Sequence, residues 1–487
     1  MAVENAHEVL EVQIDSKSFS CDRLRVHELS GKEAISKLFR FDVGVVSVDH
    51  DSSGPTAEAM AGASVTLTFV RAGIELRRIH GMISEVHDTF TSEAGHRGFR
   101  LVVVPLAFRL TLIETSDIFM RLTVPQILKR KFDLVRLTDE MELRLIGAYP
   151  EHEFVVQFNE PDLSFASRLA EHCGISFYFD HSGARDKIIF TDHAAGFGVD
   201  DELKEIGYRA RGEKRDVFEL SAATKLVPGY YAVRDHNYRT PQVDLTSDHQ
   251  LAVGTSGGVI EYGGHFKTPD EGAALARVRA EERQSAQHVY TGRSDIPGLA
   301  AGIAYTLEGH PDLDSPRLLV TEIEHEGTFV VGGEGPGRKP GYVNTFRAIP
   351  AERTFRPART TPKPQMSGLI TGVIEPGPSG SQHLGAMDDQ GRYVVRFLFD
   401  TTAPGERQAS RPVRMLQQHA GENYGTHFPL RAGTEVLIGF VNGDPDRPVI
   451  VGAVPNPHKP SPVTNRHPGL HRIKTESGIM IDMLEEP

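Results

Sequence analysis

In the stretch Phe428-Pro-Leu-Arg-Ala-Gly-Thr-Glu-Val-Leu-Ile-Gly-Phe-Val-Asn-Gly-Asp-Pro-Asp-Arg-Pro-Val-Ile-Val-Gly-Ala-Val-Pro-Asn456, two apolar runs, 435–441 and 449–454, flank a polar insert. Asn-Gly favours positive φ, so the spacing predicts two antiparallel strands joined by a tight reversal. The reversal comprises Asn442, Gly443, Asp444, Pro445, Asp446, Arg447 and Pro448. Asp444 and Asp446 can accept from nearby backbone N–H groups, and Arg447 can pair with either. An Asp-x-Asp metal site competes with this reading, but it needs further oxygen ligands, and Pro445, Arg447 and Pro448 supply none from their side chains. A structural turn is the better assignment.

Working outward, runs at 369–375, 393–399 and 413–417 add three more strands. Five strands within 368–457 fit a small Greek-key barrel of the OB type. Beyond it, Ile473, Thr475, Ile479, Ile481 and Met483 alternate with polar residues around Ser477-Gly478. Short strands of this kind bury little alone, so they need partners. Upstream, Pro357, Pro362 and Pro364 mark 353–364 as a linker, and the Gly-rich 332–341 reads as a hairpin loop.

The N-terminal part is also strand-rich. Val65-Thr-Leu-Thr-Phe69, 79–86 and 100–104 predict a barrel or compact sheet over 18–108. Arg78-Ile-His-Gly-Met-Ile-Ser-Glu-Val-His87 is echoed by Arg317-Leu-Leu-Val-Thr-Glu-Ile-Glu-His325, which fits either two related barrels or two unrelated hairpins. Helices are few. Pro161 opens one that ends at Gly174, with Leu163, Phe165, Ala166, Leu169, Ala170 and Cys173 on one face. Thr268 and Glu271 predict a capping box at the start of a second, which runs to about Ala286.

At 487 residues the chain should hold about three domains. Acidic residues outnumber Lys and Arg, 66 to 53, which removes the electrostatic footprint of a phosphate binder. Tyr393, Phe397, Phe399, Tyr424, Phe428 and Phe440 could stack bases, but Tyr393, Phe397 and Phe399 share a strand face and read as barrel core. Cys21 and Cys173 are too few for a disulfide framework or a Cys-rich metal site. The N-terminus has no basic segment leading into an apolar stretch, so cytoplasmic synthesis is expected. Leu101 to Phe108 is far too short to span a bilayer.

Catalytic motifs are weak. Gly254-Thr-Ser-Gly-Gly258 matches a serine-hydrolase elbow around Ser256, but the following Val259-Ile-Glu-Tyr262 reads as strand where that motif needs a helix. His467 and His471 are four apart, yet they lie on a Pro-Gly loop where solvation is the simpler reading. No catalytic residue, cofactor or metal is assigned.

The 428–456 stretch closely resembles the signature of VgrG proteins, the spikes of type VI secretion systems. The resemblance continues through Asp389-Gln-Gly-Arg-Tyr-Val-Val-Arg-Phe397, Ala420-Gly-Glu-Asn-Tyr-Gly425 and 157–179. It also includes Glu33-Ala-Ile-Ser-Lys-Leu-Phe-Arg-Phe41, Tyr342-Val-Asn-Thr-Phe346 and Phe355-Arg-Pro357. It implies a mainly β fold with α/β insertions: a phage-hub-like double barrel, an OB-fold barrel and the start of an intertwined triple-stranded β-helix. The implied boundaries are 1–150 for a first hub-like barrel region, 151–215 for an α/β insertion and 216–355 for a second barrel region. A linker at 356–367, the OB-fold domain at 368–457 and a neck with the start of the β-helix at 458–487 complete the chain.

The resemblance further implies a homotrimer that meets a hexameric Hcp-like tube protein and baseplate proteins, carries secreted effectors and is capped by a PAAR-like tip protein. Ile473, Ile479, Ile481 and Met483 would form the trimer core. The spike of an extracellular injection system or phage-like tail is the nearest alternative; an OB-fold nucleic-acid module or a hydrolase is more remote. Such a protein would be cytoplasmic before firing and then secreted or delivered into a target cell. Two departures stand out. Trp is absent, with Arg411 and His419 where the family often has it, and the chain ends at Pro487, where family members usually continue into a long needle. That ending fits a short spike, a truncated chain, or a needle supplied mostly by a partner, and it leaves no room for a catalytic C-terminal domain.

Overall fold

The structure is a computed structural model that describes residues 10–47, 55–89, 97–200, 203–209, 216–251, 256–329, 341–378, 383–399 and 411–485. The chain divides into two compact units. The first comprises 1–113, 125–149 and 162–362; the second comprises 114–124, 150–161 and 363–487.

The first unit is built on a 13-stranded sheet. Its strands alternate inward apolar and outward polar residues, as Leu10–Asp15 and Arg40–Ser47 do, because one face of each is buried. The path runs from Leu10–Asp15 through Ser64–Arg71, Ile74–Thr89, Arg97–Val104 and Arg40–Ser47 to Leu24–Ala34. There it crosses to Arg317–Thr328 and continues through Gly341–Pro350 and His288–Ser294 to Val217–Thr224. The two echoing segments thus lie in two arms that curl as half-barrels of one sheet. Leu24–Ala34 and Arg317–Thr328 pair antiparallel, Glu33 opposite Ile323, and this ladder is the seam between the arms. Beside the second arm, Val217, Leu299, Tyr305, Leu307, Ile323 and Phe346 form a buried cluster.

An α/β insertion adds a three-stranded sheet of Ser176–Asp180, Lys187–Thr191 and Met141–Arg144. Helix Asp162–Cys173 buries Phe165, Ala166 and Ala170 of the expected stripe and half-buries Leu163, Leu169 and Cys173. Pro161 ends the preceding strand rather than opening the helix, which stops at Gly174, whose φ of +70° favours glycine. Arg168 and Glu171 are buried as well. Burial pushes the Cys173 thiol up to about 12, so it behaves as a packing group. Thr268 caps helix Pro269–Ser285 by accepting from the Glu271 N–H at 3.3 Å. Glu271 reaches back one residue further than a capping box requires, to the Lys267 N–H at 2.7 Å. This helix covers the sheet Tyr230–Asp235, Leu245–Gln250 and Gly258–Tyr262, burying Leu275, Ala276 and Ala280 against Val233 and Phe266.

The Pro-rich stretch after the second arm has neither helix nor strand, yet it is firmly held. Arg356 donates to Glu281 at 2.7 Å and to the carbonyls of Gly174 and Asp192 at 2.9 and 2.8 Å. Arg359 binds both oxygens of Glu261 at 2.8 Å, and Glu171 accepts from the N–H groups of Thr360 and Thr361 at 3.0 and 2.9 Å.

The second unit contains a five-stranded sheet ordered Val395–Phe397, Ile370–Ile374, Glu435–Phe440, Pro448–Ala453 and Arg414–Met415. All five strands fall where the apolar runs placed them. Its core is completed from far upstream, because Ile118, Phe154 and Val156, on or beside the paired strands Glu114–Phe119 and Val155–Pro161, join Ile374, Tyr393, Val395, Phe397, Val436 and Ile438. Phe154 stacks on Phe397 at 5.8 Å and Phe158 meets Phe399 at 5.7 Å. These rings are committed to the core. A separate hairpin of Leu470–Lys474 and Met480–Leu484 follows.

Candidate functional site

The reversal between Glu435–Phe440 and Pro448–Ala453 has both Asn442 and Gly443 in the left-handed region, at φ 56° and 70°. Backbone bonds from Asp444 to Val441 O at 3.1 Å and from Arg447 to Asp444 O at 2.9 Å close it. Asp444 accepts from the Asp446 N–H at 2.9 Å. Asp446, 5% exposed, accepts from the Val156 N–H at 2.7 Å and from Lys363 Nζ at 2.6 Å. Lys363 also lies 2.5 Å from Asp444, whereas Arg447 is 3.9 Å from it. The two carboxylates therefore hold an ammonium group and a distant strand. The sequence reading anticipated backbone donors and Arg447; Lys363 and Val156 are too remote in sequence to be inferred from spacing.

Arg411 takes a partly aromatic role in the same unit. Its guanidinium lies 5.9 Å from the Phe154 ring and 3.4 Å from Glu153, and it donates to Asp446 O at 3.1 Å. His419 pairs with Tyr424 at 5.3 Å.

The terminal hairpin is largely exposed, with Leu470 and Arg472 half-buried. Ile473 faces Ile481, and His471 faces Met483. Ile473, Ile479, Ile481 and Met483 are 45, 67, 56 and 58% exposed, and the opposite face mixes Met480 and Leu484 with Arg472, Lys474 and Asp482. Arg472 and Asp482 form a two-bond pair at 2.8 Å that fixes the register.

A polar cluster that motif reading missed lies across the hub seam. Glu33 binds Arg77 Nη2 with both oxygens, at 2.6 and 2.8 Å, and accepts from His325 Nε2 at 2.8 Å. His325 Nδ1 is 2.6 Å from the Tyr342 hydroxyl, which accepts from Asn344 at 3.3 Å; Ser294 donates to Asn344 at 2.8 Å. Arg77 Nη1 reaches Leu299 O at 2.8 Å. Tyr342 O–H donating to Nδ1 leaves Nε2–H for Glu33, which makes His325 neutral. Burial alone would raise the Glu33 carboxyl, but Arg77 and His325 overcome it and hold it at about 2. His325 is 1% exposed, and burial lowers its pKa. The Tyr–His–Glu order resembles a catalytic relay, but the charges are mutually satisfied and enclosed, which suits a bolt. One sequence signal was available: Glu33 sits at an inward-facing position of an alternating strand.

The remaining motifs do not assemble into sites. Ser256 donates its N–H to Val227 O at 3.0 Å and is followed by the strand Gly258–Tyr262; Gly254 and Thr255 lie outside the described residues. His471 faces Glu485 at 3.3 Å from within a strand, and His467 lies in the preceding turn. Among the described residues no helix is long and apolar enough to cross a membrane.

Comparison with known proteins is consistent along the chain. Residues 32–330 match the phage tail baseplate hub (GPD) family, and 385–454 match the type VI secretion system/phage-baseplate injector OB domain. The spike protein VgrG4b of Pseudomonas aeruginosa is 30% identical over 91% of this chain, and VgrG1a of the same species is 28% identical over 93%. The actin cross-linking toxin VgrG1 of Vibrio cholerae is 29% identical over 91%. The chain spans 57, 70 and 41% of the lengths of these three relatives. Among solved structures, the E. coli c3393 protein, a type VI secretion component similar to T4 tail proteins gp27 and gp5, superposes with a TM-score of 0.65 at 24% identity. It covers 91% of this chain and 100% of its own. The Francisella PdpA–VgrG complex gives 0.62 at 9% identity, covering 98% and 83%. With its hub region matched over more than half of its length, the chain belongs to the phage tail baseplate hub family, and the relatives it resembles along most of its length are VgrG spike proteins of type VI secretion systems.

Proposed function

We propose that the chain is a structural, non-enzymatic spike at the end of a contractile tube. Three copies assemble, the hub regions meet a hexameric tube protein and the baseplate, and the hairpin 470–484 begins an intertwined β-helix that receives a PAAR-like tip. The exposed hairpin carries this reading. An isolated two-stranded ribbon is marginal in water, and this one exposes a row of large apolar side chains on one face. Three-fold intertwining would bury Ile473, Ile479, Ile481 and Met483 and remove the free edges. Sheath contraction supplies the energy; no residue needs a perturbed pKa or a nucleophile. Before firing the spike is cytoplasmic, and firing delivers it with its effectors. The solved PdpA–VgrG complex shares the fold and shows a VgrG protein bound to another protein. The toxin relative shows that hub-bearing chains can be named for an activity, and the non-enzymatic assignment here concerns these 487 residues.

Light scattering on the purified chain tests this. A particle of three 53.6 kDa chains is expected at micromolar concentration, and a stable monomer overturns the reading. Deleting 458–487 should weaken association more than it unfolds the rest. A second reading, the spike of an extracellular injection system or phage-like tail, draws on the OB match, whose family spans secretion systems and phage baseplates.

A further inference from the structure

Asp186, in the α/β insertion, is 3% exposed. Its Oδ2 accepts from the Leu106 N–H at 2.9 Å, across 80 residues of sequence. That N–H opens the 3₁₀ turn Leu106–Thr111, where Pro105 provides no side-chain cap. Its Oδ1 is buried with no hydrogen-bond partner. The carboxyl borders a small pocket lined by Leu106, Ala107, Phe132, Leu137, Ile188 and the acid Glu140. Arg185, on the same loop as Asp186, is engaged by Glu140 at 2.7 Å and is largely solvent-exposed. Arg109, on the 3₁₀ turn, acts on Asp186 only as a lesser electrostatic attraction. Phe132 and Leu137 bring only apolar surface from their side of the pocket.

An ionised carboxylate with one oxygen unsolvated, facing a second carboxylate across apolar walls, is a costly arrangement. A protonated carboxyl removes the like-charge opposition and still caps Leu106. We propose that Asp186 is a proton-operated latch: protonated, it fastens the turn Leu106–Thr111 to the insertion, and ionised, it loosens that fastening. Burial, with Glu140 adding to it, raises the Asp186 carboxyl to about 7, which places the transition in the neutral range. The sign follows from the raised value. The latch contributes fully below the ordinary carboxyl range, weakens as pH climbs toward 7, and is flat above it.

Hydrogen exchange of the full chain, read on peptides covering 104–111 and 181–188 and corrected for intrinsic rates, tests the latch. Protection should fall by up to about tenfold per pH unit between pH 5 and 7 and level off above. Asp186→Asn, which keeps the acceptor for Leu106 and stays neutral, should hold protection level across the range. Glu140→Gln, which leaves the cap untouched, should move the inflection to lower pH. Unchanging protection in the wild type, or equal slopes in the wild type and Asp186→Asn, overturns the proposal. If Asp186→Asn does not fold, an unmoved inflection in Glu140→Gln overturns it alone.

Discussion

Glu33 and Arg77, on strands of the first arm that are not neighbours in the sheet, meet through two hydrogen bonds of 2.6 and 2.8 Å, and both are less than 10% exposed. The second arm joins them through His325 and the Leu299 carbonyl. The seam between the arms therefore has a charged centre, and each charge depends on the other for its solvation.

Removing one partner should be severe. Glu33→Ala leaves the Arg77 guanidinium buried without its counter-charge, a loss of about 3–5 kcal/mol. Replacing both by apolar residues of similar volume should recover much of it. Denaturant unfolding of the two single variants and the double variant checks this: additive losses would mean that the pair acts as two separate contacts.

Acid should loosen the first unit over a defined window. Glu33 titrates at about 2 in the fold, below its ordinary value of 4.5, so its contribution is present above 4.5 and lost as pH falls toward 2. His325, whose pKa burial lowers, works in the same direction, because the unfolded chain takes up a proton first. Thermal melts from pH 4.5 to pH 2, below the range in which Asp186 works in the opposite sense, should show a falling midpoint, with a shallower fall in Glu33→Gln. Identical slopes would remove Glu33 as the cause.

The OB barrel should not survive excision at its apparent boundary. A fragment of 363–487 lacks Ile118, Phe154 and Val156 from its core. It should lose near-UV ellipticity and bind hydrophobic dyes. In the full chain, Phe154→Ala should cost roughly 3–5 kcal/mol, because it empties a site against Phe397. A cooperative, dye-silent melt of the fragment would contradict this.

The turn should be sensitive at Asp446. Asp446→Ala strands the Val156 N–H and leaves Lys363 with Asp444 as its one carboxylate here, an expected loss of about 1–3 kcal/mol. Gly443→Val should add strain of about 1–3 kcal/mol, because it forces a β-branched residue to φ 70°. Urea midpoints of the two variants test these magnitudes.

Local features were legible in the sequence. The strands around Asn442-Gly443 and the helix ended by Gly174 follow from rules that act within a few residues. Residue-by-residue rules did not reach Lys363 beside Asp446, Val156 beneath the turn, or the relay from Ser294 to Glu33, since each depends on contacts far apart along the chain. Glu33 entered the sequence reading only as part of the 33–41 resemblance; its burial on Leu24–Ala34 and its pairing with Arg77 come from the fold. In the terminal hairpin, alternation drew attention to Ile473, Ile479, Ile481 and Met483 and passed over Met480 and Leu484, which are exposed on the other face among Arg472, Lys474 and Asp482.

The interleaving of segments between the units has a bearing on durability. The backbone passes from one unit to the other at 113/114, 124/125, 149/150, 161/162 and 362/363. A single break in the Pro-rich stretch would sever only the last of these passages, and the Arg356, Arg359 and Glu171 bonds would still anchor the cut end. The molecule is wired like a redundant circuit, in which a protease must cut several times before either unit is set free.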